Sequence, residues 1–124
     1  MIELKSDAAA LAVDAALGGR IVSLLVGGVE RILPKANARP SPLATGWGCY
    51  PMAPWPGRLS EGRIPTEEGE VRLEQNRPPT AIHGLVFDKP WRVVTQSDDA
   101  VTMSCELRGL GWPFGGETRQ TLRL

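Results

Sequence analysis

Apolar side chains recur at every second position in much of the chain. Leu11, Val13, Ala15 and Leu17 alternate with smaller or polar neighbours and run into Gly18-Gly19, which is strand periodicity followed by a turn signal. The alanine-rich stretch from Ala8 to Ala12 argues the other way, because alanine favours helix and is a poor strand former. Arg20 to Val26 predicts a second strand, Gly27-Gly28 a two-residue hairpin turn, and Val29 to Leu33 its return. These three segments read as an antiparallel meander.

From Pro34 to Pro56 the pattern changes to a long, proline-rich segment with few charges. Loops of that length inside a domain are usually functional or disordered, and Trp47, Tyr50 and Trp55 argue against disorder, since a solvated linker has no use for such apolar surface. The segment is expected to fold over the sheet. Beyond it, Gly62 to Thr66 and Glu70 to Leu73 flank the turn Glu67-Glu68-Gly69, and Pro78-Pro79 breaks the chain before a loop at Ile82-His83-Gly84. Trp91 to Gln96 and Val101 to Leu107 alternate around Ser97-Asp98-Asp99, and Thr118 to Leu124 alternates again. With 14 glycines and 11 prolines breaking every helical period, the prediction is an all-β chain of eight to ten short strands, an antiparallel β-sandwich. Its last strand meets the C-terminus without a turn or polar tail, as though the chain stopped in mid-sheet.

Composition narrows the function classes. A length of 124 residues suits one domain that buries roughly two thirds of its unfolded surface, and excludes a second full domain. Fourteen basic residues balance 14 acidic ones without any Lys/Arg run, so no nucleic-acid partner is expected. The longest apolar run, Ile21 to Val26, is interrupted by Ser23 and falls far short of the roughly 18 residues of a membrane span, so no membrane partner is expected either. The opening Met1-Ile2-Glu3-Leu4-Lys5-Ser6-Asp7 lacks the features of a secretory signal, which makes a soluble, cytoplasmic protein the expectation. Cys49 and Cys105 stand outside any C-x-x-C pair or Cys/His cluster, so both are read as packed, reduced thiols, with neither metal nor cofactor expected.

Few side chains are left to carry chemistry. His83 is the single histidine, and an imidazole moves protons near neutral pH, although a lone loop histidine can equally be structural. Arg58 follows the rigid Trp55-Pro56-Gly57, where a guanidinium could aim its donor fork at hydroxyl oxygens or simply form a surface ion pair. Asn76 precedes the proline break and reads either as a turn former or as a group orienting the His83 loop. Tryptophans beside such polar groups suit sugars, whose C–H faces stack on indoles, but they also suit a core. Glu67, Glu68 and Glu70 read as a solvated turn, and no G-x-S-x-G frame or phosphate-cradling glycine loop is present.

Taken together, Gly18-Gly19-Arg20-Ile21, the run from Gly48 through Leu59, and Asn76 through Gly84 resemble the aldose 1-epimerases, or mutarotases. Asp88-Lys89-Pro90-Trp91 and Gly111-Trp112-Pro113-Phe114-Gly115-Gly116 resemble later blocks of the same family, so the likeness covers nearly the whole chain. Gly57 stands where many members carry an amide, and His83-Gly84-Leu85 where His-Gly-Gly is usual. The resemblance implies a galactose mutarotase-like supersandwich, a catalytic His83 near the sugar ring oxygen, Arg58 and Asn76 as substrate-binding residues, an aldohexose as small-molecule partner and no cofactor. It further implies that residues 1–124 form the N-terminal portion of a single domain. The family's second histidine, binding aspartate and catalytic glutamate would lie beyond Leu124.

Mutarotation needs a base at the anomeric hydroxyl and an acid at the ring oxygen, and groups that act as a unit are strongly non-additive. The expectation is therefore an isomerase fold with little activity as this chain alone, whose open sheet edge seeks a complementing C-terminal half or a second copy. A hexose 6-phosphate is a further substrate possibility within the class, without a clear basic cluster to hold it. The rival class is a non-catalytic carbohydrate-binding or structural β-sandwich module.

Overall fold

The computed structural model describes residues 1–33 and 46–124; the part of the proline-rich segment at 34–45 lies outside the described residues. Eleven strands are described: β1 (Ile2–Lys5), β2 (Ala9–Asp14), β3 (Arg20–Val26), β4 (Val29–Glu30), β5 (Arg58–Ser60), β6 (Arg63–Thr66), β7 (Gly69–Arg72), β8 (Thr80–Ile82), β9 (Arg92–Gln96), β10 (Ala100–Glu106) and β11 (Glu117–Arg123). All strand ladders are antiparallel. The all-β sandwich expected from the alternation is what forms, with a strand more than the upper end of the predicted range.

One layer is the sheet β1-β2-β3-β4 and the other is β11-β10-β9. Between them lies one core: Ile2 and Leu4 from β1, Leu11 and Val13 from β2, and Val101, Met103 and Cys105 from β10, closed by Val86, Trp91 and Leu107. Each strand contributes alternate residues, as a pleat with one buried face requires. The layers are also tied at their ends, where the Lys5 amide donates to the Asp98 carbonyl at 2.8 Å and the Trp91 amide to the Ala15 carbonyl at 2.7 Å.

Two sequence expectations are corrected and one strand is added. The alternation does not reveal β1, because only Ile2 and Leu4 mark its buried face. β2 ends at Asp14, so Ala15 and Leu17 belong to the turn; the Asp14 carboxylate accepts the Leu17 amide at 3.2 Å and stops the strand there. β4 is two residues long rather than running to Leu33, because Glu30 folds its carboxylate back onto the Ser23 hydroxyl at 2.5 Å and the Leu24 amide at 2.9 Å. These bonds hold the Glu30 carboxyl below its usual range. The helix-prone alanines lie in β2 because pairing on both edges, with β1 and β3, outweighs a propensity of a few tenths of a kcal/mol per residue.

Two small ribbons sit beside the sandwich, β5 paired with β8 and β6 with β7. They close over a second cluster of Trp55, Leu73 and Ala81, against which Leu59, Ile64, Leu85 and Trp112 pack. Trp112 also packs against the main core and thereby joins the two. Cys105 is buried and Cys49 half-buried, both as free thiols, and burial raises both pKa values.

Leu4 is fully buried in a four-residue strand whose hydrogen-bonded neighbour is β2. Leu4→Ala should therefore destabilise the chain by about 3 kcal/mol, the usual cost of a cavity at a site that cannot collapse. Urea unfolding of the variant against the parent measures it.

Candidate functional site

The ladder of β5 with β8 places Arg58 opposite Ile82, the residue before His83. One step past the ladder, Gly57 and His83 close a reciprocal pair. The His83 amide donates to the Gly57 carbonyl at 2.9 Å, and the Gly57 amide donates to His83 Nδ1 at 3.1 Å. The second bond requires a lone pair on Nδ1, so the neutral imidazole carries its proton on Nε2 and presents that nitrogen as a donor.

His83 has φ +62°, a left-handed conformation that few side chains adopt without cause. The next residue explains it. Gly84 has φ +78°, forms a parallel bridge with Ala53, and sits so close that a Cβ there would lie 1.9 Å from the Ala53 carbonyl oxygen. The Leu85 amide then donates to that same oxygen at 2.7 Å. The chain turns sharply at 83–84 because the Ala53 backbone is packed against it. Gly84→Ala should consequently destabilise the fold by about 3 kcal/mol, through backbone clash and a disfavoured φ together. Thermal unfolding checks this, with His83→Asn as a control that tolerates positive φ.

The three residues singled out in the sequence come together. Arg58 is exposed at the start of β5, donates to the Thr80 hydroxyl at 3.3 Å and acts electrostatically on His83. Asn76 uses both ends of its carboxamide on the backbone of one residue: its nitrogen donates to the Ile82 carbonyl at 3.0 Å, and its oxygen accepts the Ile82 amide at 2.7 Å. A side chain here plays the part of a neighbouring strand and holds the backbone next to His83.

Aromatic rings form the rest of the wall. Tyr50 meets His83 at 6.1 Å between ring centroids and 63° between planes, Phe87 at 6.4 Å and Trp47 at 6.3 Å, all edge to face. Trp47 in turn lies under the Arg20 guanidinium, whose central carbon is 3.5 Å from the ring centroid. Nothing in the pattern marked Arg20 or Tyr50 for the site, since an arginine in a strand reads as surface; Arg20 is 3% exposed. Further along, Trp55 stacks on Trp112 at 5.9 Å, and the exposed Phe114 meets Trp112 edge-on.

Burial and the nearby Arg58 charge both lower the His83 pKa. The unfolded chain, with an ordinary histidine value of about 6.5, thus takes up the proton first as pH falls. Stability should be level above that value and decline as pH drops through the lower, folded one. Urea midpoints at about pH 7.5 and about pH 5.5 should differ for the parent, and differ less for His83→Asn, before the carboxylates begin to titrate.

Among the described residues no three His, Cys, Asp or Glu side chains gather as a metal site. No helix there is long and apolar enough to cross a membrane. A cleft of about 580 Å³ lined by Lys5, Ser6, Ala8, Val26 and Gly27 lies by the turns of the first sheet and shares no residue with the His83 site.

The profile of the aldose 1-epimerase family matches residues 1–124, the whole chain. Solved structures share the fold. A candidate aldose 1-epimerase from Escherichia coli K12 superposes with a TM-score of 0.79 at 24% identity, over 98% of this chain and 40% of its own. A galactose mutarotase-like protein from Lactobacillus casei gives 0.73 at 17% identity, over 100% and 40%. A galactose mutarotase related enzyme from Lactobacillus acidophilus gives 0.73 at 15%, over 99% and 38%. No curated protein sequence matches significantly. The antiparallel sandwich has the galactose mutarotase-like fold. The chain belongs to the aldose 1-epimerase family and spans about 40% of the length of the solved relatives it matches.

Proposed function

We propose that this chain supplies the N-terminal part of an aldose 1-epimerase site, acting on a free aldohexose, with His83 as the group that serves the ring oxygen. The observation that carries the reading is the Gly57 amide on His83 Nδ1, which leaves Nε2–H as the donor on the imidazole. Donation from Nε2 to the ring oxygen polarises the C1–O5 bond as a base removes the anomeric proton. The ring opens to the aldehyde, rotation about C1–C2 exposes the other face, and closure returns the protons in reverse order.

Arg58, exposed beside His83, suits binding of sugar hydroxyls, and after burial its charge is the second influence that favours the neutral imidazole. Asn76 fits better as the group that fixes the Ile82–His83 backbone than as a direct sugar ligand, since its amide is already engaged at both ends. The base and the remaining binding groups are proposed to come from the part of the family fold outside this chain. β11 has β10 on one side and no strand on the other among the described residues, which supports docking of that part or of a second copy at this edge.

Polarimetry of freshly dissolved α-glucose and α-galactose tests the reading. The chain alone should accelerate anomerisation little. Addition of the complementary portion of a family member should restore turnover, and His83→Ala in the complemented system should lower kcat by about 10²-fold or more. Sugar binding without acceleration in either setting would instead identify a carbohydrate-binding module, and neither binding nor activity a structural domain.

A further inference from the structure

The corner that holds His83 is braced from behind by groups with no part in the scheme above. Arg20 is a buried cation. Its guanidinium lies 3.8 Å from the Asp14 carboxylate and covers the Trp47 ring, and its Nε has no hydrogen-bond partner among the described residues. Such a group is costly to bury, and the indole face and the carboxylate offset only part of the cost. What the arrangement secures is the place of Trp47, which leaves the proline-rich segment directly over the start of β3. Trp47 abuts Tyr50, and Tyr50 is held on another side by Phe87 and faces the imidazole on a third. Phe87 is itself fixed, because its carbonyl lies against Gly18, where a Cβ would come within 1.9 Å of the oxygen.

We infer that Tyr50 is a positioning residue for His83: wedged between Trp47 and Phe87 and anchored through Trp47 on Arg20, its ring confines the imidazole to the rotamer in which Nδ1 meets the Gly57 amide. Without the wedge, the side chain at φ +62° keeps only the single 3.1 Å bond to hold its orientation. The ring also shields the imidazole from water, in keeping with the burial that lowers its pKa; among the described residues, Arg58 and Tyr50 are the ionisable groups seen to border it. This inference rests on the reading of His83 as the proton-handling group, but its test needs no activity.

His83 is the chain's only histidine, so its ring signals are unambiguous. In ¹H–¹⁵N spectra of the parent chain, the imidazole should titrate as one site below the ordinary histidine midpoint, with nitrogen shifts of the Nε2–H tautomer and nuclear Overhauser contacts to the Tyr50 ring. Tyr50→Phe should preserve the midpoint and the tautomer. Tyr50→Ala should move the midpoint up toward the free value and bring the two nitrogen shifts toward the mixed-tautomer average. Trp47→Leu, which leaves the Tyr50 contact residue in place but removes its anchor, should shift both in the same direction by less. Unchanged midpoint and tautomer in a folded Tyr50→Ala chain would overturn the inference, as would a Tyr50→Phe chain that behaves like Tyr50→Ala. Should the truncating variants unfold, absence of Tyr50–His83 contacts in the folded parent would overturn it alone. A complemented enzyme that fails to turn over sugar while these couplings persist would count against the proposed function and leave the positioning role standing.

Discussion

The candidate site depends on the two hydrogen bonds exchanged between Gly57 and His83. They join residues 26 apart in the chain and extend a ladder of only three pairs, Arg58 with Ile82, Leu59 with Ala81 and Ser60 with Thr80. A two-stranded ribbon this short is not stable in water by itself. It holds because its inner face is buried on Trp55 and Leu73, because Asn76 engages both the amide and the carbonyl of Ile82, and because Gly84 nests against Ala53. Which nitrogen of the imidazole bears the proton is thus set by backbone pairing, while burial and the neighbouring Arg58 charge lower its readiness to accept a second.

Two arginines show how differently one residue type is used around that corner. Arg58 stands in solvent, where its charge disfavours the imidazolium and one nitrogen of its fork donates to the Thr80 hydroxyl. Arg20 is sealed beneath Trp47 beside Asp14, its cation depressed in pKa by burial and raised again by the carboxylate. An exposed pair contributes little to stability, whereas a desolvated cation under an indole face specifies one geometry even when its net energy is small. The large aromatic content of the proline-rich segment finds its use here, since Trp47, Tyr50 and Trp55 each pack against a neighbouring ring or core residue.

Where a strand is long and half-buried, its alternation is visible in the residues. β3 runs over Arg20–Val26 as the pattern predicts, and the β9–β10 hairpin turns at Ser97-Asp98-Asp99. β1, β5 and β8 escaped prediction because a strand of three or four residues has too few positions to show a period, and β5 and β8 exist only through pairing across the chain. The alanines of β2 misdirect for a related reason: intrinsic propensity is a small term beside two ladders and a buried face.

His83, Arg58 and Asn76 were legible one by one, as a lone imidazole, an arginine after a rigid Pro-Gly corner and an amide before a proline break. Their family follows from the order of those blocks, which a linear chain preserves. What only the tertiary structure decided is their relation: that Asn76 spends its carboxamide on the Ile82 backbone, that His83 carries its proton on Nε2, and that a buried Arg20 and a wedged Tyr50 stand behind it. Composition and periodicity determine which faces of a chain avoid water, but hydrogen-bond direction and ring contact are set only when segments far apart in sequence meet in space.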